Sequence, residues 1–247
     1  MPRRQPNQHE KRPGASTPGR AKGNAMPLFE DYRPADWSAF IGNDKAAAKA
    51  KAIANRSKST GKPFALWIDG PSGTGKTTLA HLIARELDAD PCMDVIELDG
   101  PDCDGRAVSD LREKLSLKSW GGGFRCVIIN ESHNMTPKGV QLWLTMLEKL
   151  PAKVAVVFTT TEGRGKDDLF GAFDGPLKSR CIPLSLTNQG LAEAFAKEAQ
   201  RIAEAEGLGG AEAKDYLALV RKHKNNMRAV LSEIEGFEMY REAAQAA

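Results

Sequence analysis

Two short stretches carry residues whose types and spacing can do chemistry. The first is Gly70-Pro71-Ser72-Gly73-Thr74-Gly75-Lys76-Thr77, followed by Thr78. It fits G-x-x-x-x-G-K-[ST]. In that pattern backbone N–H groups cradle phosphates, the lysine reaches the β- and γ-phosphates, and the hydroxyl binds Mg²⁺. The apolar run Ala65–Asp69 precedes it and TTLAHLIAREL follows, so strand, loop and helix stand in the order that phosphate binding at a helix N-terminus needs. A glycine-rich turn arising by chance would lack this context. The expected ligands are ATP and Mg²⁺. The second stretch is Asn130-Glu131, at the tip of the apolar run Arg125–Ile129 and 54 positions after Lys76. Nucleotide hydrolysis needs an acidic residue on a neighbouring strand tip for the magnesium water shell and a carboxylate to polarise the attacking water. Glu131 is the candidate general base. Thr77 and Asn130 are the candidate metal residues; Asn130 can accept a hydrogen bond from a metal-bound water but brings no negative charge. The alternative for Asn130, compatible with the first, is to cap the next helix.

These residues need a scaffold. Candidate strands are Ala65–Asp69, Asp94–Leu98, Arg125–Ile129, Val154–Thr159 and Cys181–Leu184. Between them Leu79, Leu82, Ile83 and Leu87, and then Val140, Trp143, Leu144, Leu147 and Leu150, recur at helical spacing. Alternating strands and helices predict an α/β fold with a parallel sheet covered on both faces. After Pro183 the strands stop, and helical segments at roughly 188–206, 211–223 and 226–243 predict a small three-helix domain. The expected organisation is a basic tail over 1–26, an ATPase core over 27–186 and a helical lid over 187–247.

Composition narrows the classes. A chain of 247 residues that is 41% hydrophobic and 27% charged is of ordinary globular type. It has no apolar run of the roughly 20 residues a membrane span needs, and no apolar segment behind the basic N-terminus to make a secretory signal. Cys92, Cys103, Cys126 and Cys181 form no CxxC pair, which argues against a disulfide framework or a zinc site and makes a reducing cytoplasm the default. Six of the 35 Lys/Arg but one of the 32 Asp/Glu fall in residues 1–26, so the remainder is close to −2. That leader is rich in Pro, Gly, Ser, Gln and Asn without apolar periodicity, and reads as a disordered, solvated tail.

Over roughly residues 28–240 the sequence resembles the AAA+ ATPases, and within them the clamp-loader subunits, bacterial gamma/tau and replication factor C. Tyr32-Arg33-Pro34 followed by Phe40-Ile41-Gly42 looks like the family's adenine-contacting segment, with Asn43 where a Gln is usual. Asn130-Glu131-Ser132-His133 resembles its DEAH-like Walker B box, and Leu142–Glu148 the helix after that box. Val157–Glu162 resembles the sensor 1 strand, with Thr161 or Thr160 as the sensor. Ser179-Arg180-Cys181 matches the SRC motif, whose arginine reaches a neighbouring subunit's ATP site. Asn226–Leu231 resembles the sensor 2 helix, which makes Arg228 a γ-phosphate contact. Six short matches in the family's order carry the resemblance. An arginine remote in sequence from the phosphate loop is also what an in-trans finger needs, and such fingers are worth about 10³–10⁵ in rate. The plainer readings are a surface ion pair for Arg180 and a solvated helix face for Arg228; His133 is taken as packed rather than catalytic.

The resemblance implies a homo- or hetero-oligomer joined through Arg180, with a sliding clamp and primer-template DNA as partners. Residues 102–112 resemble a replication factor C stretch near the DNA-tracking surface, which makes Arg106 and Arg112 candidate phosphate contacts; an ordinary charged helix face is the competing reading. Three departures matter. Asn130 replaces an Asp, the four zinc cysteines of the bacterial subunit are absent, and the sequence ends after the lid where relatives continue into a collar. A ring without a collar is expected to close through ATPase-domain contacts, a separate partner or DNA. The rivals are a nucleotide-binding scaffold that barely hydrolyses, and another DNA-acting AAA+ motor, for branch migration or loading. A two-lobed helicase is excluded by length.

Overall fold

The computed structural model describes residues 26–119, 121–161 and 171–246. The elements follow in chain order: α1 (Leu28–Asp31), α2 (Asp44–Thr60), β1 (Phe64–Gly70), α3 (Lys76–Glu86), β2 (Val95–Asp99), α4 (Gly105–Ser116), β3 (Arg125–Asn130), α5 (Pro137–Leu147), β4 (Val154–Thr161), α6 (Gly171–Lys178), β5 (Ile182–Ser185), α7 (Ala192–Ala205), α8 (Ala213–Lys222) and α9 (Met227–Ala246). The five strands form one parallel sheet in the order β2-β3-β4-β1-β5. Both faces are covered, which explains why the strands read as continuous apolar runs rather than alternations.

Successive residues of each strand still point to opposite faces. On one side Leu66, Ile68, Ile128 and Val157 meet Ala50 and Ala54 of α2 and Leu79, Leu82 and Ile83 of α3. On the other, Trp67, Val127, Val156 and Phe158 meet Val108 and Leu111 of α4 and Val140 and Trp143 of α5. Trp143 stands edge-on to Phe158 with ring centroids 5.2 Å apart. Each of these large side chains contributes about 1.5–3 kcal/mol of burial free energy.

A third cluster joins α7, α8 and α9. Phe195, Ile202, Tyr216, Val220, Val230 and Leu231 close around Leu28 of α1. Of the segment before α2, Leu28, Phe29, Tyr32 and Ile41 thus pack with the C-terminal helices, whereas Trp37 and Phe40 pack with the α2 and α3 side of the sheet. Asn43 ties the connection: its Nδ2 donates to the Thr187 carbonyl at 3.1 Å and its Oδ1 accepts from the Thr187 N–H at 2.8 Å.

Several expectations are corrected. The phosphate-loop strand and the Asn130 strand are not neighbours, because β4 lies between them. Asp94 and Cys181 precede their strands, and Leu150 lies beyond α5. Asn130 caps no helix: α5 is capped by Thr136, whose hydroxyl accepts from the Gly139 N–H at 3.1 Å. Arg180 lies in the turn before β5. The expected tail over 1–26, apart from Met26, and Glu162 lie outside the described residues.

Candidate functional site

The loop between β1 and α3 is built around glycines whose conformation other residues rarely adopt. Gly73 and Gly75 have φ of +76° and +91°, in the left-handed region where side chains are strained. A Cβ on Gly73 would sit 2.0 Å from Asn226 Oδ1, and one on Gly75 would sit 2.9 Å from the Phe40 ring. Gly75 precedes α3 without a side-chain cap, which leaves the first-turn N–H groups to face the loop. Lys76 is 7% exposed, and its ammonium donates to the carbonyls of Gly70 and Pro71 at 2.9 and 3.0 Å. A buried cation and uncapped amides around a glycine cradle make an anion site.

One cavity connects this loop to the rest of the molecule. It is lined by Ser72, Gly73, Thr74, Gly75, Lys76, Thr77 and Thr78, by Tyr32, Arg33, Pro34 and Ile41 from the N-terminal segment, by Glu131, and by Arg228 of α9. Residues expected from four separate stretches therefore share one space. Arg228 stacks its guanidinium over the Phe29 ring, 5.4 Å from the centroid. The Tyr32 hydroxyl donates to Glu206 at 2.6 Å; burial first, and then that carboxylate, push its pKa up to about 12.

The intervening strand β4 supplies the polar floor. Thr159, Thr160 and Thr161 each engage a different partner on or just after β3. Thr159 donates to Asn130 Oδ1 at 3.2 Å, Thr160 lies 3.0 Å from His133 Nδ1, and Thr161 donates to the two Glu131 oxygens at 3.2 and 3.0 Å. Of the two sensor candidates, Thr161 is therefore the one that contacts the candidate base. Glu131 itself adopts φ +47°, a conformation rare for a non-glycine residue, and its carbonyl lies where a Cβ on Gly100 would be 2.3 Å away. His133 is partly buried and also lies 3.5 Å from Glu131, so it touches the site as well as packing beneath it.

Asn130 Oδ1 accepts from the Thr77 hydroxyl at 2.9 Å, which joins the two candidate metal residues directly. Its Nδ2 donates to Glu97 of β2, and His81 of α3 lies 3.0 Å from the other Glu97 oxygen. The His81 contact holds the Glu97 carboxyl below its usual range, and the Asn130 amide adds to this against the opposing effect of partial burial. Hydroxyl, amide and carboxylate oxygens are the hard donors Mg²⁺ prefers, so the residues fit that ion. Sequence reasoning missed Glu97, His81 and Thr159. Only the parallel register, which sets Asp99 opposite Asn130, places Glu97 nearby.

Three expected residues lie elsewhere. Arg180 donates to Glu148 at 3.0 Å and to the Pro176 carbonyl at 3.0 Å on the surface, outside the cavity lining. Arg106 and Arg112 are exposed on α4, six residues apart and so on different sides of that helix.

Residues 66–181 match the model of the ATPase family associated with various cellular activities (AAA). The DNA polymerase III subunit gamma/tau of Mycoplasma pneumoniae is 29% identical over 205 residues, 71% of this chain and 28% of that protein. The replication factor C small subunit of Haloarcula marismortui is 27% identical over 212 residues, 84% of this chain and 61% of that protein. The solved structure of a Thermotoga maritima RuvB variant superposes with a TM-score of 0.67 at 22% identity, over 83% of this chain and 64% of its own, and shares the fold. The chain spans 27–28% of the length of gamma/tau relatives from Mycobacterium tuberculosis and Mycoplasma pneumoniae. No helix among the described residues is long and apolar enough to cross a membrane.

Proposed function

We propose that this chain, which carries an AAA-family ATPase domain of clamp-loader type, binds and hydrolyses ATP as one subunit of a DNA-acting oligomer. The observation that carries the reading is the single cavity shared by Lys76, Thr77, Glu131 and Arg228. The loop amides and Lys76 would bind the phosphates, and Tyr32, Arg33, Pro34 and Ile41 would flank the base. Thr77 and, through water, Asn130 would hold Mg²⁺, which when bound neutralises charge on the β- and γ-phosphates. Glu131, oriented by Thr161, polarises the attacking water. Arg228 closes the cavity from the helical lid over 187–247 and meets the γ-phosphate.

Arg180 is the residue offered to a neighbouring subunit. Its pairing with Glu148 is exposed, with 38% and 56% of the two side chains accessible. Such pairs are worth at most about 1 kcal/mol and break readily for a better partner. DNA is suggested by the name of the DNA polymerase III gamma/tau relatives and a sliding clamp by the motif resemblance to clamp-loader subunits, and the exposed Arg106 and Arg112 are the DNA-phosphate candidates.

Nucleotide titration of the Lys76→Ala variant tests the site. Removing a buried ammonium from the phosphate position is expected to weaken ATP binding by tenfold or more, about 1.4 kcal/mol. Full affinity in that variant would refute the assignment.

A further inference from the structure

Residue 130 stands where the site needs an anion, and it is an amide. We propose that Glu97 makes Asn130 competent at the magnesium position: it locks the amide with its oxygen toward Thr77 and supplies the negative charge that residue 130 lacks. The inference rests on the ATP-site reading above.

The orientation argument is one of donors and acceptors. An Asn side chain presents an oxygen on one side and an NH₂ on the other, and the two ends are nearly the same size. Thr77 and Thr159 both face one end, at 2.9 and 3.2 Å. A hydroxyl both donates and accepts, so neither threonine can choose which end it meets. An ionised carboxylate only accepts. Glu97 lies on the opposite side and takes the NH₂, which leaves Oδ1 facing the Thr77 hydroxyl. Without Glu97 a flipped amide would turn two N–H donors toward the metal position, where they repel a cation.

The charge argument runs the same way. A carboxylate accepting from Nδ2 polarises the amide and raises electron density on Oδ1, as coupled hydrogen bonds do in a partly buried site. A full negative charge then stands one amide group behind the oxygen that accepts from the metal-bound water. Glu97 thus combines with Asn130 as a divided acid, the charge on β2 and the accepting oxygen on β3. The strands are adjacent and in register, Asp99 opposite Asn130, so the pair is held by the sheet rather than by a loop. His81 Nε2 of α3 stands 3.0 Å from the second Glu97 oxygen.

The test is a Mg²⁺ titration of binding of a fluorescent ADP analogue to the full chain, with a parallel measurement in EDTA. Glu97→Gln should raise the Mg²⁺ concentration for half-effect about tenfold or more, as loss of an outer partner commonly does, while metal-free nucleotide affinity stays within about twofold. The double variant Glu97→Gln/Asn130→Asp moves the carboxylate one strand over and keeps a donor–acceptor pair between the side chains. It should return the half-effect to within about twofold of the parent. A single variant that titrates like the parent, or a double variant no better than the single, overturns the proposal. Circular dichroism melting of each variant shows that it is folded. The Lys76→Ala result stands apart: it reports on the phosphate site whatever Glu97 does.

Discussion

At the scale of single residues, the site depends on side chains that act through others. Thr161 touches no part of the cavity, but its hydroxyl spans both oxygens of Glu131 and so sets where that carboxylate points. Thr161→Val keeps the shape and removes the hydroxyl. The expected result is a fall in turnover of about 10²-fold, with nucleotide affinity unchanged within about twofold, because general-base catalysis of that size depends on orientation. Steady-state ATP hydrolysis beside a binding titration reads both. Weakened binding with unchanged turnover would assign Thr161 to the ligand instead. The glycine loop between β1 and α3 was legible from spacing alone, since its glycines must stand where the backbone turns through positive φ. Glu97 was not. It lies in VIELD as one acidic residue in a short strand, 33 positions before Asn130, and its meaning arises only when β2 and β3 align.

At the scale of elements, the strand set and the helix after the loop followed from apolar runs and helical spacing, and they fall within a residue or two of where they form. Strand order did not follow. Nothing in Val154–Thr161 says that this segment inserts between β1 and β3, yet that insertion brings three threonines beneath the site. Helix ends are set by local bonds that spacing cannot reveal, and α5 shows this. Its apolar spacing runs on to Leu150, but the helix starts at the Thr136 cap, with Pro137 in its first turn, and stops at Leu147. Thr136→Ala should cost about 1 kcal/mol, the usual worth of such a cap. In a chain of this size that lowers the melting temperature by about 2–4 °C. Thr136→Ser should recover most of it, since the accepting oxygen remains. A melting curve indistinguishable from the parent would mean that α5 is held by Trp143 and Val140 alone.

At the scale of the whole molecule, the candidate nucleotide site and the core beneath it are one structure, and the thiols can report on both. Cys92 is exposed; Cys103, Cys126 and Cys181 are buried. Burial pushes their thiols up to about 11 for Cys103 and about 12 for Cys126 and Cys181. An unfolded thiol ionises near 8.5, so above about pH 8.5 the unfolded chain releases protons that the folded chain keeps, and stability falls as pH rises toward those higher values. At pH 8 one thiol should react promptly with a disulfide reagent and three only as the fold opens. Cys126 is the informative one. It lies on β3, the strand that ends in Asn130, and in the same cluster as Leu79, Leu82 and Ile83 of α3, whose N-terminus is the phosphate loop. An opening that frees Cys126 must take the site apart. Nucleotide with Mg²⁺ at about a hundred times its dissociation constant stabilises the closed state by about 2.7 kcal/mol, so modification of Cys126 should slow about a hundredfold. Peptide mapping of the labelled chain over time measures this for each cysteine. Protection of Cys126 that vanishes in Lys76→Ala would tie the core to the nucleotide through this loop, and an unprotected Cys126 in the parent would place the nucleotide elsewhere.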